Sequence, residues 1–204
     1  MAHAHHPTVG HEGGHEGHHD LEELRKFGFW IFLITDCILF ATLFATFLVI
    51  HKNTAGGPGP KELFELPGVI VETFILLTSS FTSGLAVLAM NAGSRNGLVG
   101  WLIVTILLGA SFVGMEVTEF LKLVHEGHTI HSSAFLSGFF TLVGTHGLHV
   151  SLGICWITAL IVQLSQRGLT PVTTRKVQIT SLYWHFLDAV WIFVFTFVYL
   201  MGVI

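Results

Sequence analysis

Two pairs of polar side chains have the spacing of one helical face, and both lie inside strongly apolar stretches. His146 and His149 are three residues apart, and so are His185 and Asp188. Residues three apart lie on the same side of an α-helix, and imidazole is a common axial ligand of haem iron. One hypothesis is therefore a haem or metal site with His149 facing His185. The alternative, which we favour, is a set of hydrogen bonds that lock helices together.

Carboxyl groups also interrupt the apolar stretches, where a charge costs about 2.5–3.5 kcal/mol even on insertion scales. No Lys or Arg lies in the middle of these stretches, so the acids cannot all be ion-paired within the chain. We expect them to be protonated, bonded to histidine, or placed against water or a neighbouring subunit. The acids are Asp36, Glu72, Glu116, Glu119 and Asp188.

The position of each acid suggests its chemistry. Glu116 and Glu119 are three residues apart near the end of an apolar stretch. They could form a proton relay or the wet rim of a helix bundle, and both interpretations stay open. Asp36 and Glu72 lie deeper, which makes them candidates for carrying protons. The structural alternative, a protonated acid bonded to a nearby threonine, is the one that we favour.

Composition explains which elements must position these groups. Hydrophobic residues make up 51% of the 204 residues and charged residues only 11%, against about 25% charged in soluble domains. A bilayer span needs ~20 apolar residues, so the sequence predicts an all-α bundle of five transmembrane helices in one membrane domain, residues 24–204. The predicted spans are about 27–50, 67–90, 98–121, 133–163 and 178–202.

The polar segments predict the orientation of the bundle. Residues 1–23 are rich in histidine and are predicted to form a disordered tail, with weak metal scavenging as the alternative. The face that would receive this tail carries six basic residues against three on the opposite face. The excess predicts a cytoplasmic N-terminus and a periplasmic C-terminus. No run of basic residues suggests a nucleic-acid partner.

Several motifs together resemble subunit III of the haem-copper oxidases. They include the Glu119-Phe120 pair and four longer stretches, and the resemblance extends from about residue 24 to 204. The longer stretches are Phe27–Phe40 (FGFWIFLITDCILF), Thr145–Val150 (THGLHV), Tyr183–Asp188 (YWHFLD) and Val190–Phe193 (VWIF).

Within that family the chain is most similar to subunit III of the cytochrome bo-type ubiquinol oxidases. The stretch from Leu66 to Phe74 and the closing Val198–Gly202 look like that branch. Cytochrome c oxidase versions commonly have seven helices, whereas this chain has room for five. Asp36 stands where cytochrome oxidases often carry a carbodiimide-reactive Glu.

The resemblance implies a non-catalytic subunit of a proton-pumping oxidase in the bacterial inner membrane. Haem and copper are then expected in subunit I and ubiquinol at the complex, with subunits I, II and IV and bound phospholipid as partners. It implies roles in assembly, stability and proton supply. The residues that match the family's polar positions are then expected to serve in packing and in proton or lipid contacts. They are Asp36, Glu119, His146, His149, His185 and Asp188.

Three other functions stay open at this point. The chain could be subunit III of a cytochrome c oxidase, because the electron donor is decided by other subunits. It could be a small membrane cytochrome with haem on His149 and His185. It could also be a proton-coupled transporter built on Asp36, Glu72 and Glu119, although the broken helices typical of transporters are not evident.

Overall fold

The computed structural model describes residues 13–51, 66–130 and 132–200, and every regular element in them is helical. All five helices are long and apolar enough to cross a membrane, which confirms the predicted fold class. The helices are α1 (Gly13–Ile50), α2 (Leu66–Asn91), α3 (Arg95–His125), α4 (Ala134–Arg167) and α5 (Pro171–Val194), and α5 continues into a π-helical turn, Phe195–Leu200.

The predicted spans agree with the apolar segments of these helices, and the largest difference is at α5. This helix begins at Pro171 rather than at residue 178. Thr170 caps the helix, because its hydroxyl accepts a bond from the Thr173 N–H while the Thr173 hydroxyl accepts one from the Thr170 N–H. Proline at the first helical position has no N–H to leave unsatisfied. The polar connection therefore already contains the first turns of α5.

Short connections with glycine end the helices and reverse the chain. Gly93 (φ 72°) and Gly168 (φ 69°) adopt the left-handed backbone conformation after α2 and α4, which glycine enters without steric cost. Ser94 and Ser133 then cap α3 and α4 by accepting backbone N–H bonds. Because the connections are this short, the helices that they join run antiparallel.

The chain divides into two compact units, residues 1–38 and 39–204. The described part of the first unit is the N-terminal part of α1. This helix begins at Gly13, inside the segment predicted to be a tail. Residues 1–12 lie outside the described residues, so the histidine-rich tail stays a prediction.

In the second unit, α2, α3, α4 and α5 form a ring in which each helix packs against the next and α5 packs against α2. Trp184 of α5 fills the middle of this ring. A Cβ atom on Gly109 of α3 would lie 2.8 Å from Cη2 of Trp184, and one on Gly153 of α4 would lie 3.0 Å from its Cζ3. The two glycines therefore make room for the indole.

The last turns of α1, which belong to this second unit, contact the ring through phenylalanines. Phe47 lies 5.9 Å from Phe135 of α4 between ring centroids. Phe44 lies 6.3 Å from Phe193 and 6.0 Å from Phe197. The aromatic spacing along α1 thus matches one helical face.

Candidate functional site

A ladder of hydrogen bonds joins the polar residues of α2 to those of α5. Its members are serines and threonines of α2 and indole, imidazole or hydroxyl groups of α5. From Thr73 to Ser83 along α2, the ladder runs back from Trp191 to Ser181 along α5, as expected for antiparallel helices. The donor–acceptor pairs are Trp191 Nε1 to Thr73 Oγ1 (3.1 Å), Trp184 Nε1 to Ser79 Oγ (3.0 Å), Ser80 Oγ with His185 Nδ1 (2.6 Å) and Ser83 Oγ with Ser181 Oγ (3.1 Å).

The ladder explains the serine-rich middle of α2. Hydrogen bonds between transmembrane helices contribute about 0.6 kcal/mol each on average, and four of them fix the rotation of α2 against α5. A further bond of 2.8 Å between Thr82 and Thr105 ties α2 to α3.

His185 and Asp188 lie within this ladder, between Trp184 and Trp191 of α5. Asp188 is buried, and Ser80 and His185 lie close enough to interact with its carboxyl group. His185 is exposed on the surface of the unit. His185 and Asp188 are therefore neighbours on the side of α5 that meets α2.

Carboxyl groups from α2 and α3 meet near the end of the bundle where α2 begins and α3 ends. Glu72 and Glu116 are each only 3% exposed, and both are close enough to Glu119 for their charges to interact. The hydroxyl of Tyr199, in the π-helical turn, donates to Glu119 Oε2 over 3.4 Å. We call Glu72, Glu116, Glu119 and Tyr199 the carboxyl cluster.

Glu116 occupies a niche that only glycine leaves open. A Cβ atom on Gly147 of α4 would lie 2.8 Å from Glu116 Cδ. Glu116 Oε1 is buried without a hydrogen-bond partner among the described residues. Because so little of its surface is exposed, Glu116 does not lie at a wet rim, which was one of its two interpretations.

Glu72 does not use the threonines that stand near it in the sequence. Thr73 and Thr78 donate to the backbone carbonyls of Val69 and Phe74 in their own helix. Glu72 Oε2 is buried and has no hydrogen-bond partner in the part of the chain that the structure describes. The like charges of the carboxyl cluster would repel strongly in a medium of low dielectric constant, so at least one of its carboxyl groups is expected to be neutral.

His146 is enclosed by aromatic rings. It is fully buried, and its ring centroid lies 5.3 Å from that of Trp191, 6.0 Å from Phe112 and 6.3 Å from Phe40. Neither ring nitrogen has a hydrogen-bond partner within the described residues. The imidazole therefore packs as one of the rings of the core.

His149 and His185, the two residues of the haem hypothesis, have different neighbours. Nδ1 of His149 lies 2.7 Å from the Thr145 carbonyl, and its ring lies 5.2 Å from Phe40. His185 instead bonds to Ser80 of α2. Among the residues described, no group of three or more His, Cys, Asp or Glu side chains could hold a metal ion.

Asp36 lies in the first unit. Its side chain is buried, at 7% exposed, as expected for an acid deep in a transmembrane span. The other predicted residues all lie in the second unit. The three glutamates belong to the carboxyl cluster, His185 belongs to the ladder with Asp188 beside it, and His146 and His149 both pack near Phe40.

The indoles and the phenol were the functional donors that sequence reasoning missed. Trp184, Trp191 and Tyr199 lie inside the bundle, and all three donate hydrogen bonds to residues of other helices. Buried Trp and Tyr usually find a hydrogen-bond partner. Their position far from the ends of the predicted span was the signal that could have identified the two indoles.

Comparison with known proteins gives matches along nearly the whole chain. Residues 2–203 match the family model of cytochrome c oxidase subunit III. Quinol oxidase subunit 3 of Bacillus subtilis is 60% identical over 179 residues, which is 88% of each chain. Cytochrome bo(3) ubiquinol oxidase subunit 3 of Pseudomonas aeruginosa is 54% identical over 202 residues, 99% of this chain and 95% of the relative. Cytochrome c oxidase subunit 3 of Bacillus subtilis is 50% identical over 186 residues, 90% of each chain.

Proposed function

Because the chain belongs to the cytochrome c oxidase subunit III family, we propose that it is subunit III of a bacterial quinol oxidase. It is a multi-pass protein of the bacterial inner membrane. The complex oxidises ubiquinol, reduces oxygen to water and pumps protons. This chain contributes no active site, and it supports the assembly and stability of the complex.

The observation that carries this proposal is the similarity to the Pseudomonas aeruginosa ubiquinol oxidase subunit, which covers 99% of this chain. The interior of the bundle agrees with a structural role. Its indole and hydroxyl groups form hydrogen bonds between helices, as in the bond from Trp184 to Ser79, and the surface offers large apolar side chains to lipid.

A second candidate is subunit III of a cytochrome c oxidase. It is supported by the 50% identity to the Bacillus subtilis subunit of that name. The quinol oxidase is favoured because two relatives named for quinol oxidation are more similar, at 60% and 54% identity. The electron donor is chosen by the other subunits, so activity of the whole complex distinguishes the two.

We assign the polar residues within the spans to packing, with proton or lipid contact as their further role. Haem and copper are held by subunit I in this proposal, ubiquinol binds at the complex, subunits I, II and IV are the partners, and phospholipid covers the apolar surface. The residues are Asp36, Glu72, Glu116, Glu119, His146, His149, His185 and Asp188.

Purification of the tagged chain from its own membranes in mild detergent tests the proposal. We expect larger haem-bearing subunits to copurify and to oxidise ubiquinol. The isolated chain should show no haem absorption. Oxidation of reduced cytochrome c in place of ubiquinol would identify the second candidate. Stoichiometric haem in the isolated chain would make it a small cytochrome, and proton-coupled transport by the chain alone in vesicles would make it a transporter.

A further inference from the structure

An imidazole is exposed at mid-membrane depth on the outer surface of the bundle. His185 lies halfway along the apolar segment Pro171–Leu200, and Ser80, its hydrogen-bond partner, lies halfway along Pro67–Asn91. Ionisable side chains within spans almost always face the bundle interior or a polar partner, because hydrocarbon offers them no hydrogen bonds. The exposure of His185 is therefore unusual for a surface that meets only lipid.

The hydrogen-bonding capacity around His185 is only partly used. Nδ1 bonds to Ser80 Oγ at 2.6 Å, while Nε2 makes no hydrogen bond within the described part of the chain. Beside it, Asp188 Oδ1 is buried without a partner there. Each nitrogen of an imidazole ring can form a hydrogen bond. Nε2 would form its bond if a polar group from outside this chain lay beside it.

The surface around the imidazole combines an exposed stripe of α5 with small residues, as surfaces that bind another transmembrane helix do. One stripe of α5 is exposed above and below His185 at helical spacing, and it includes the small residue Ala189. Across from it on α2, a Cβ atom on Gly84 would meet nothing within 4 Å. Small residues of this kind let the backbone of another transmembrane helix approach closely. The exposed stripe consists of Gln178, Leu182, His185, Ala189 and Ile192.

We propose that this face of α2 and α5, centred on His185, is where a transmembrane helix of another oxidase subunit docks. That helix presents a hydrogen-bonding side chain at mid-membrane depth, and the side chain satisfies Nε2 of His185. The inference rests on the proposed function, since it needs the chain to belong to a multi-subunit complex. It adds the surface and the chemistry by which the complex holds this chain.

Photo-crosslinking in the assembled complex tests the face directly. A photoreactive p-benzoylphenylalanine at Leu182 should cross-link to another subunit. The same residue at Leu107, which is 64% exposed on α3 across the ring from α5, should label lipid only. If the chain copurifies with the oxidase but Leu182 yields no protein adduct, or an adduct with a second copy of the chain, the docking face is wrong while the proposed function stands.

A substitution measures the contribution of the imidazole. His185→Leu should raise the dissociation constant of the chain from the complex about three- to tenfold, the loss expected for hydrogen bonds within a membrane. Ser111→Leu is the control, because Ser111 is exposed on α3 and donates only to its own helix. The thermal stability of the free chain verifies folding. Equal retention of both variants in the complex overturns the proposal, and failure of the native chain to copurify at all overturns the proposed function with it.

Discussion

Gly147 and Glu116 show how a single residue type fixes a buried acid in this membrane protein. The carboxyl group lies directly against the backbone of α4, at a point where any side chain would collide with it. The sequence alone does not show that Gly147 contacts an acid of another helix. It stands between His146 and His149, and only the packing of α3 against α4 brings Glu116 to it. At the residue scale, the neighbouring helix fixes the position of each buried side chain, as α4 does for Glu116 and the ring of Trp191 does for His146.

Gly147→Ala should destabilise the chain by about 1–3 kcal/mol, the usual cost of overpacking a core. The new methyl group would lie 2.8 Å from Glu116 Cδ, so the carboxyl group or α4 must move. The lowered melting temperature of the purified complex is the measurement. Gly114→Ala is the matched control, since a Cβ atom there meets nothing within 4 Å, and it should leave stability unchanged or raise it slightly. Equal destabilisation by both variants would contradict the niche.

Asp36→Asn tests whether the deep acid of α1 has only a structural role. Asparagine keeps the size and the hydrogen-bonding capacity of a neutral acid, so ubiquinol oxidation and its decay during repeated turnover should both stay unchanged. Oxygen consumption over successive additions of ubiquinol measures both quantities. Cys37→Ala, at the exposed neighbouring position, controls for disturbance of the helix. Faster loss of activity in the Asp36 variant alone would assign it a proton or stability role.

At the scale of the elements, polar contacts hold α2 on two sides. Four hydrogen bonds join it to α5 and one joins it to α3. Apolar packing between helices has little directional preference in lipid, because lipid tails are as apolar as leucine. Hydrogen bonds are directional, so the ladder decides which face of α2 meets α5.

A double-mutant cycle on Ser79→Ala and Trp184→Phe should reveal a coupling of about 0.6 kcal/mol, and at most about 1.7 kcal/mol. The two side chains share one hydrogen bond of 3.0 Å, and each single change removes it. Unfolding of the chain in detergent gives the free energies. Ser111→Ala combined with Trp184→Phe is the control cycle and should be additive, because Ser111 bonds only within α3. Additivity in the first cycle would mean that the ladder contributes nothing measurable.

At the scale of the whole molecule, the bias of basic residues predicts the direction of insertion. Six basic residues flank the predicted cytoplasmic face and three the opposite face. Cytoplasmic retention of Lys and Arg is the main determinant of topology. With five spans, the two termini are expected on opposite sides of the membrane.

Alkaline phosphatase fusions test this orientation. A fusion after Ile204 should be active, because the enzyme folds only outside the cytoplasm, where its disulfides form. A fusion after Gly93, which follows two spans, should be inactive. Comparison of the enzyme activity per fusion protein is the measurement. Activity at Gly93 and none at Ile204 would invert the orientation.

The sequence alone determined the all-α class, the five spans and most of their limits. A span needs enough apolar residues to cross the bilayer and must satisfy every backbone hydrogen bond within itself. Both requirements are local, so they can be read from a continuous stretch such as Phe27–Ile50. The sequence prediction started α5 too late, and the reason is also local: the cap formed by Thr170 and Thr173, with Pro171 at the first helical position, lies in the polar connection.

Only the tertiary structure decided which polar side chains meet. Ser79 and Trp184 are 105 residues apart, and Glu116 meets Gly147 from a different helix. In water, the apolar face of a helix reveals its inward side. In a bilayer the outward side is apolar too. The hydrophobic pattern of the sequence therefore does not reveal how far each helix is rotated about its axis or which helix lies beside it. Those two quantities bring the ladder, the carboxyl cluster and His185 to their places.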